Sequence, residues 1–397
     1  MNKEKLAEAE RKLRWALHSQ SVPRIRAMLD LARSDPRIAA TPDIFDRDPT
    51  LFNCPNGTLD LQTGRLREHR REEYITQLCP TRYLPDAMCP RFERFMEEIF
   101  PLPDGSPDRE LIVYMQRLLG RCLSGDVSEQ ILPIFWGDGG NGKSVLVDTL
   151  MHVLGGDYSL KLDQDFLMIS AGERHLTAKA SLWKKRFVVA SETPQGRRLN
   201  ESLVKDLTGG EPIRCRRMRE DEWQFLPTHK IFLLTNHRPE ISGRDRGIWR
   251  RCRLIPFVAE FATPESSGDA AERVEDKGLA AKLRTESEGI LAWLAAGCRE
   301  WRTDGLQTPG RVLAATDAYR ADENVIGRFV DEKCVRGDDS YRVRSSALYS
   351  AYRSWCDATG ERPLRQNLFT PELQRSGIKK LANNGVWLLG VALRDDD

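Results

Sequence analysis

The sequence lacks the means to be a cross-linked or metal-stapled protein. Its nine cysteines stand at 54, 79, 89, 122, 215, 252, 298, 334 and 356, none of them in a CxxC pair. An odd, scattered set argues against a disulfide framework and for reduced, mostly buried thiols. Six equally scattered histidines leave little for a structural zinc site. No stretch approaches the roughly 18 uninterrupted apolar residues of a membrane span. The N-terminus, MNKEKLAEAERKLRWALHSQ, is charged and helical in pattern, without the apolar core or cleavage site of a signal peptide. Together these absences predict a cytoplasmic protein with no membrane partner. Neither sign of charge prevails, since 61 basic and 59 acidic residues leave a net charge of +2. A nucleic-acid surface on such a chain has to be a local basic patch. Repeats and long low-complexity tracts are missing as well.

What is there is a 397-residue chain, 40% hydrophobic and 30% charged, enough for several globular domains. Residues 3–34 carry two helical patterns broken near Ser21-Val22-Pro23. Between 51 and 85, Asn-Gly and Thr-Gly turns separate short alternating segments, which predicts a small β-hairpin unit. Helical patterns return from Cys89 to Gly125. Four apolar runs then follow, ILPIFW (131–136), RFVVAS (186–191), KIFLLT (230–235) and RCRLIPF (251–257). Strands without polar alternation, separated by helices, predict a parallel α/β sheet covered on both faces. Residues 261–278 are polar and acidic and read as an exposed linker, before a helix over 279–301. The last unit starts near Pro309, with helices at 345–360 and 363–377 and a hairpin around Asn383-Asn384-Gly385. Helix, helix and a two-stranded wing outline a winged-helix domain. The expected domains are 1–50, 51–128, 129–305 and 309–397.

The strongest chemical signal follows the first apolar run. Gly137-Asp138-Gly139-Gly140-Asn141-Gly142-Lys143-Ser144 matches GxxxxGK[ST], with a strand before it and a helix after it. Glycines let backbone N–H groups converge on phosphate oxygens, and the helix aims its positive end at the same point. Lys143 is expected on the β/γ-phosphates and Ser144 on Mg²⁺, with Val145 completing the nucleotide loop. The next strand ends in Ser191-Glu192. There Glu192 faces the crevice as base or metal ligand, although paired-acid motors carry an acid where Ser191 stands. The third strand ends at Asn236, an amide placed to hold the γ-phosphate or the attacking water. Residues 243–253 hold five arginines; Arg250 and Arg251 are the candidates for a charge-stabilising finger, and sequence does not choose between them. A charged hairpin within 209–225, its tip at about 217–221, concentrates Arg214, Arg216, Arg217 and Arg219, to track a nucleic-acid backbone or to pair with Glu220, Asp221 and Glu222. Asp46-Arg47-Asp48 and Asp163-Gln164-Asp165 read as solvated acids.

The ordered series GDGGNGKS, RFVVASE, LTGGEPIRCRR, LLTNHRP and GIWRRCRLIPF resembles the helicase part of the phage/plasmid primase family, poxvirus-type superfamily 3 helicases of the AAA+ class. The segment from NGTLDLQTGRL to MQRLLGRCLSGD resembles that family's pre-helicase region, and the C-terminal unit its winged-helix tail. The resemblance implies a ring-forming, usually hexameric, ATP- and Mg²⁺-dependent helicase moving 3′→5′ on single-stranded DNA. It implies Walker A at Gly137–Ser144, the Walker B acid at Glu192, sensor 1 at Asn236 and a finger at Arg250. It also places DNA contacts on Arg216, Arg217 and Arg219. Only about 50 residues precede the family-like segment, too few for the primase domain of longer members. The expectation is therefore a mobile-element helicase in a bacterial cytoplasm, primed by a separate primase or polymerase. Two other classes compete. One is an ATP-controlled initiator whose winged helix binds duplex origin DNA through Arg365, Gln366, Asn367 and Arg375. The other, a small-molecule P-loop kinase, would need an acceptor pocket and an arginine-bearing lid, and a finger at the start of a fifth strand with a basic hairpin suits a ring better.

Overall fold

The structure, a computed structural model, describes residues 3–169, 175–191, 196–219, 221–241, 246–262 and 273–394. The chain divides into two compact units, one from the residues up to Arg47 with Arg70–Thr76, the other from Asp48–His69 and the residues from Gln77 on. In the first unit, α1 (Lys3–Ser19) and α2 (Val22–Ala32) bury no residue of their own. Pro23 sits in the first turn of α2, where its missing N–H costs nothing. Asp46, expected as a solvated acid, instead accepts hydrogen bonds from the N–H and Oγ1 of Thr76 at 2.6 and 2.5 Å.

The second unit opens with an antiparallel meander, β1 (Leu51–Cys54), β2 (Gly57–Asp60) and β3 (Arg65–Arg67), one strand more than the expected hairpin. Helices α3 (Pro90–Ile99) and α4 (Arg109–Gly120) lead into the central sheet. That sheet is built from β4 (Leu132–Trp136), β5 (Ser159–Leu162), β6 (Phe187–Ser191), β9 (Lys230–Thr235) and β10 (Cys252–Pro256). Between them run α5 (Lys143–Tyr158, kinked at Gly155), α6 (His175–Ala180), α7 (Glu201–Thr208), a hairpin of β7 (Ile213–Arg216) and β8 (Glu222–Phe225), and α8 (Arg246–Trp249). All sheet pairings are parallel, in the order β10-β4-β9-β6-β5. The four apolar runs are β4, β6, β9 and β10. β5 was not foreseen because, as an edge strand, it reads Ser-Leu-Lys-Leu with no continuous apolar run.

Alternate residues feed two cores. Phe135, Phe187, Val189, Phe232, Leu234 and Ile255 face α3, α4, α5 and the meander. Leu132, Ile134, Val188, Ile231, Leu233 and Leu254 face α7, β7 and Tyr319. Beyond the sheet come α9 (Leu279–Thr285), α10 (Ser287–Asp304) and α11 (Gly310–Asp322). Thr316 on α11 accepts the N–H of Leu254 at 2.9 Å, so α11 belongs to the sheet's packing although it follows Pro309. The chain ends with α12 (Val325–Lys333), β11 (Cys334–Arg336), β12 (Arg342–Arg344), α13 (Ser345–Thr359), α14 (Gln366–Arg375), β13 (Lys379–Ala382), β14 (Val386–Leu389) and β15 (Val391–Leu393). They enclose a third core, where the rings of Tyr352 and Phe369 stack at 4.7 Å. All nine cysteines are buried. Among the described residues no helix is long and apolar enough to cross a membrane.

Two contacts fix α4 and the lower end of the sheet. Where α4 crosses α10, a Cβ on Gly297 would lie 2.1 Å from the carbonyl oxygen of Gln116 and one on Gly120 would lie 2.4 Å from that of Leu294. At the N-terminal ends of β6 and β9, Arg186 donates to the carbonyls of Leu51 (2.7 Å) and Leu123, and Lys230 to that of Ser124. Burial lowers the pKa of Lys230 to about 7 and that of His229 to about 4.

Gly297→Ala should therefore cost about 1–3 kcal/mol of stability through overpacking, read as a lower urea midpoint. His229 is neutral in the fold, and its folded pKa lies below the ordinary value of about 6.5. Its contribution is complete above that value and is lost as pH falls toward 4. A His229→Gln variant should show a shallower fall in stability over that window, by at most about 1.4 kcal/mol per pH unit, in denaturant titrations at stepped pH.

Candidate nucleotide site and nucleic-acid surfaces

The glycine loop leaves β4 and turns into α5 between two walls. Gly137 (φ +155°) passes so close to β10's exit that a Cβ would meet the Phe257 oxygen at 2.2 Å. Gly142 (φ +87°) precedes the helix, and a Cβ there would meet Ile99 on α3 at 2.5 Å. Asn141 ties the loop down by donating from Nδ2 to the Phe257 oxygen at 3.0 Å. Lys143 folds back under the loop and donates to the oxygens of Gly137 (2.5 Å), Asp138 (2.9 Å) and Asn141 Oδ1 (2.9 Å). A Cβ on Gly139 or Gly140 would meet nothing within 4 Å, so the loop's outer side is open. Ser144 is exposed at the start of α5, where first-turn N–H groups have no helical acceptor. Val145 is half-buried against the core.

A cavity of about 50 Å³ lies beside this loop, lined by Lys143, Ser144, Val147, Asp148, Lys161, Ser191, Leu234, Thr235 and Asn236. The carboxyl ends of β5, β6 and β9 meet there, where open α/β sheets bind ligands. Asn236 is exposed, and the Thr235 hydroxyl shapes its turn by donating to the oxygen of His237 (2.5 Å) and accepting its N–H (3.2 Å). Glu192 lies outside the described residues; Ser191, just before it, lines the cavity. Sequence reasoning missed Asp148 and Lys161. The four-residue spacing from Ser144 could have flagged Asp148, but Lys161 sits on the unforeseen edge strand. Asp165, expected to be solvated, pairs with Arg197 at 3.3 Å.

The two finger candidates part company. Arg251 is buried, donating from Nε to Thr208 Oγ1 (3.0 Å) and from Nη1 to the oxygen of Gly247 (2.8 Å). Burial, and then the charge of Arg250, lowers its pKa. It is committed inside its own fold, which corrects its placement among the catalytic residues. Arg250 is exposed and reaches Gln130 Oε1 at 3.2 Å. Strand register aligns Cys252 with Leu132, so Arg250 stands beside the entry to β4, while the glycine loop leaves its far end. The five residues of β4, at roughly 3.3 Å each, separate those ends.

On the hairpin, Arg214 and Arg216 are exposed, while Ile213 and Cys215 face inward. Arg219 lies at the tip with φ +63°. Arg217 differs: its guanidinium lies over the rings of Trp183 and Trp223, 5.7 Å from each, and those rings meet edge to face. It holds the turn end of the hairpin against Trp183. Among the described residues, Arg214, Arg216 and Arg219 form no ion pair with Asp221 or Glu222. In the C-terminal region, Arg365 is the exposed N-cap of α14. A polar groove of about 470 Å³ runs beside it, lined by Arg344, Gln366, Asn367, Gln374 and Lys380 among others, with no acidic residue.

Sheet, loop and crevice together define a P-loop-like α/β protein. Residues 1–101 match a family described as D5 N terminal like, 135–251 a family of unknown function, and 321–387 the family described as Poxvirus D5 protein-like. A protein of Acanthamoeba polyphaga mimivirus named as a helicase is 28% identical over 82% of this chain and 35% of its own length. One of Invertebrate iridescent virus 3, also named as a helicase, is 23% identical over 79% and 35%. One of African swine fever virus, named as a primase, is 23% identical over 79% and 34%. The C-terminal region of NrS-1 (305–718) aligns with a TM-score of 0.48 at 15% identity, over 79% of this chain and 77% of that one. At both ends the chain is thus similar to poxvirus D5-like proteins, and over most of its length to viral proteins named as helicases or primases. It spans about a third of the length of these relatives. They come from viruses of eukaryotes, so they lend no support to a bacterial host, nor to the absence of a primase domain.

Replacing the two arginines should separate them physically. Arg251→Ala leaves buried acceptors unpaired and should cost about 1–3 kcal/mol. Arg250→Ala should stay within about 0.5 kcal/mol of the parent. Guanidinium unfolding curves of the two variants read the difference.

Proposed function

We propose that the chain is the motor of an ATP-driven DNA helicase acting in replication, assembled as a ring, most simply a hexamer. The observation that carries this reading is the position of Arg250. Its guanidinium is exposed at the end of the sheet away from its own glycine loop, which supports a role at a neighbouring subunit's nucleotide over one at its own. In this mechanism Gly137–Ser144 wrap the phosphates, and Lys143 exchanges its loop carbonyls for β/γ-oxygens. Ser144 and Glu192 would hold Mg²⁺, which screens the charge of the triphosphate. Glu192 takes the proton of the attacking water, Asn236 fixes that water's direction, and Arg250 stabilises charge on the transferring phosphoryl group from across the subunit boundary. Arg214, Arg216 and Arg219 contact the single-stranded backbone, while Arg217 holds the hairpin's turn end against Trp183. The 3′→5′ polarity is carried from the family resemblance.

A second reading is favoured by the polar groove. The elements α12 to β15 follow a winged-helix order, and the groove between α14 and the β13–β14 wing offers Arg344 and Lys380 for phosphates and Gln366, Asn367 and Gln374 for base edges. With Arg365 beside it, this surface suits an origin-binding initiator whose ATP site controls assembly. A separate primase or polymerase is the partner either reading calls for.

The test is ATP hydrolysis with and without single-stranded DNA, for the parent, Lys143→Ala, Arg250→Ala and a mixture of the two variants. DNA-stimulated hydrolysis, lost at least about 10³-fold in each variant and partly restored in the mixture, is the expected outcome. Restoration arises because an intact Lys143 then meets an intact Arg250 at some boundaries. Hydrolysis indifferent to DNA and to Arg250→Ala would sink the motor and favour the initiator.

A further inference from the structure

The nucleotide cavity holds a carboxylate that the mechanism above leaves unused. Asp148 lies one turn beyond Ser144 on α5, and both are exposed while Leu146, Val147 and Thr149 are buried. Residues four apart on a helix stand above one another, and their side chains lean toward the N-terminus, so the Asp148 carboxylate leans over the Ser144 hydroxyl. Both line the same cavity, and Asp148 is the acidic residue of that lining. Among the described residues it forms no hydrogen bond or ion pair. Across the cavity, Ser191 stands where paired-acid motors carry a carboxylate.

From this arrangement, and resting on the nucleotide-site reading, we infer that Asp148 supplies the second negative charge from the helix side. Mg²⁺ on a triphosphate keeps several of its waters. A carboxylate one turn above the metal-binding hydroxyl accepts hydrogen bonds from those waters and fixes the orientation of the hydrated ion. Asp148 is thus a positioning residue, acting through water. The competing account is a solvated pair in which Asp148 balances Lys161, the cation on β5 that lines the same cavity.

The test is equilibrium binding of a fluorescent, non-hydrolysable ATP analogue to the full chain across a Mg²⁺ titration. Asp148→Asn should raise the Mg²⁺ concentration for half-maximal binding about tenfold and leave binding in EDTA unchanged. Asp148→Glu should recover most of that shift, and Lys161→Met should not produce it. Circular dichroism confirms that each variant is folded. An unaltered Mg²⁺ requirement in Asp148→Asn, or an equal shift in Lys161→Met, overturns the inference while the nucleotide site stands. Binding as tight in Lys143→Ala as in the parent would overturn the nucleotide site itself, and this role of Asp148 with it.

Discussion

The site depends on how the glycine loop is gripped. On one side Gly137 presses against the Phe257 carbonyl, and on the other Gly142 presses against Ile99, with no room for a Cβ at either point. Asn141 closes the grip by bonding that same carbonyl. The loop's shape is therefore set by β10 and α3, elements far apart in sequence. Because the loop is preformed, a phosphate meets oriented N–H groups without first having to order the backbone. The buried Lys143 ammonium needs oxygen partners at all times, since an unpaired buried charge is costly. Loop carbonyls provide them in this conformation.

The same parallel sheet separates functions in space. Its carboxyl edge gathers Ser144, Ser191 and Asn236, and its amino edge carries Arg250. Strand direction makes that separation unavoidable, because β4 and β10 run the same way and their useful residues lie at opposite ends. At the amino edge Arg186 binds the carbonyls of Leu51 and Leu123, and Lys230 binds that of Ser124, so the pre-sheet region is part of the sheet's own packing.

The Asn236 turn is also wired onward. Arg238, two residues later, pairs with Asp322 at 2.9 Å and lies over the rings of Trp136 and Tyr319 at 5.3 and 5.2 Å. Trp136 ends the strand that feeds the glycine loop, and Asp322 ends α11, which leads into α12. A change at the Asn236 turn thus has a short physical route to the C-terminal elements and their groove.

By itself the sequence determined whatever is local. The glycine loop is legible because backbone convergence on a phosphate needs glycines at fixed spacing. β4, β6, β9 and β10 are legible because strands buried on both faces must be apolar throughout. The hairpins within 209–225 and around Asn384 are legible from turn residues flanked by alternation. Tertiary structure decided what depends on neighbours. β5 is short and covered on one face, so only pairing with β6 reveals it. Adjacent arginines look alike in sequence, yet Thr208 and Gly247 claim Arg251 and leave Arg250 exposed. Arg217 became an anchor because Trp183 and Trp223 stack beneath it. Asp148 and Lys161 reach one cavity because a helix face and a sheet edge were brought together. In each case the deciding contact joins residues distant in the chain, which local periodicity does not encode.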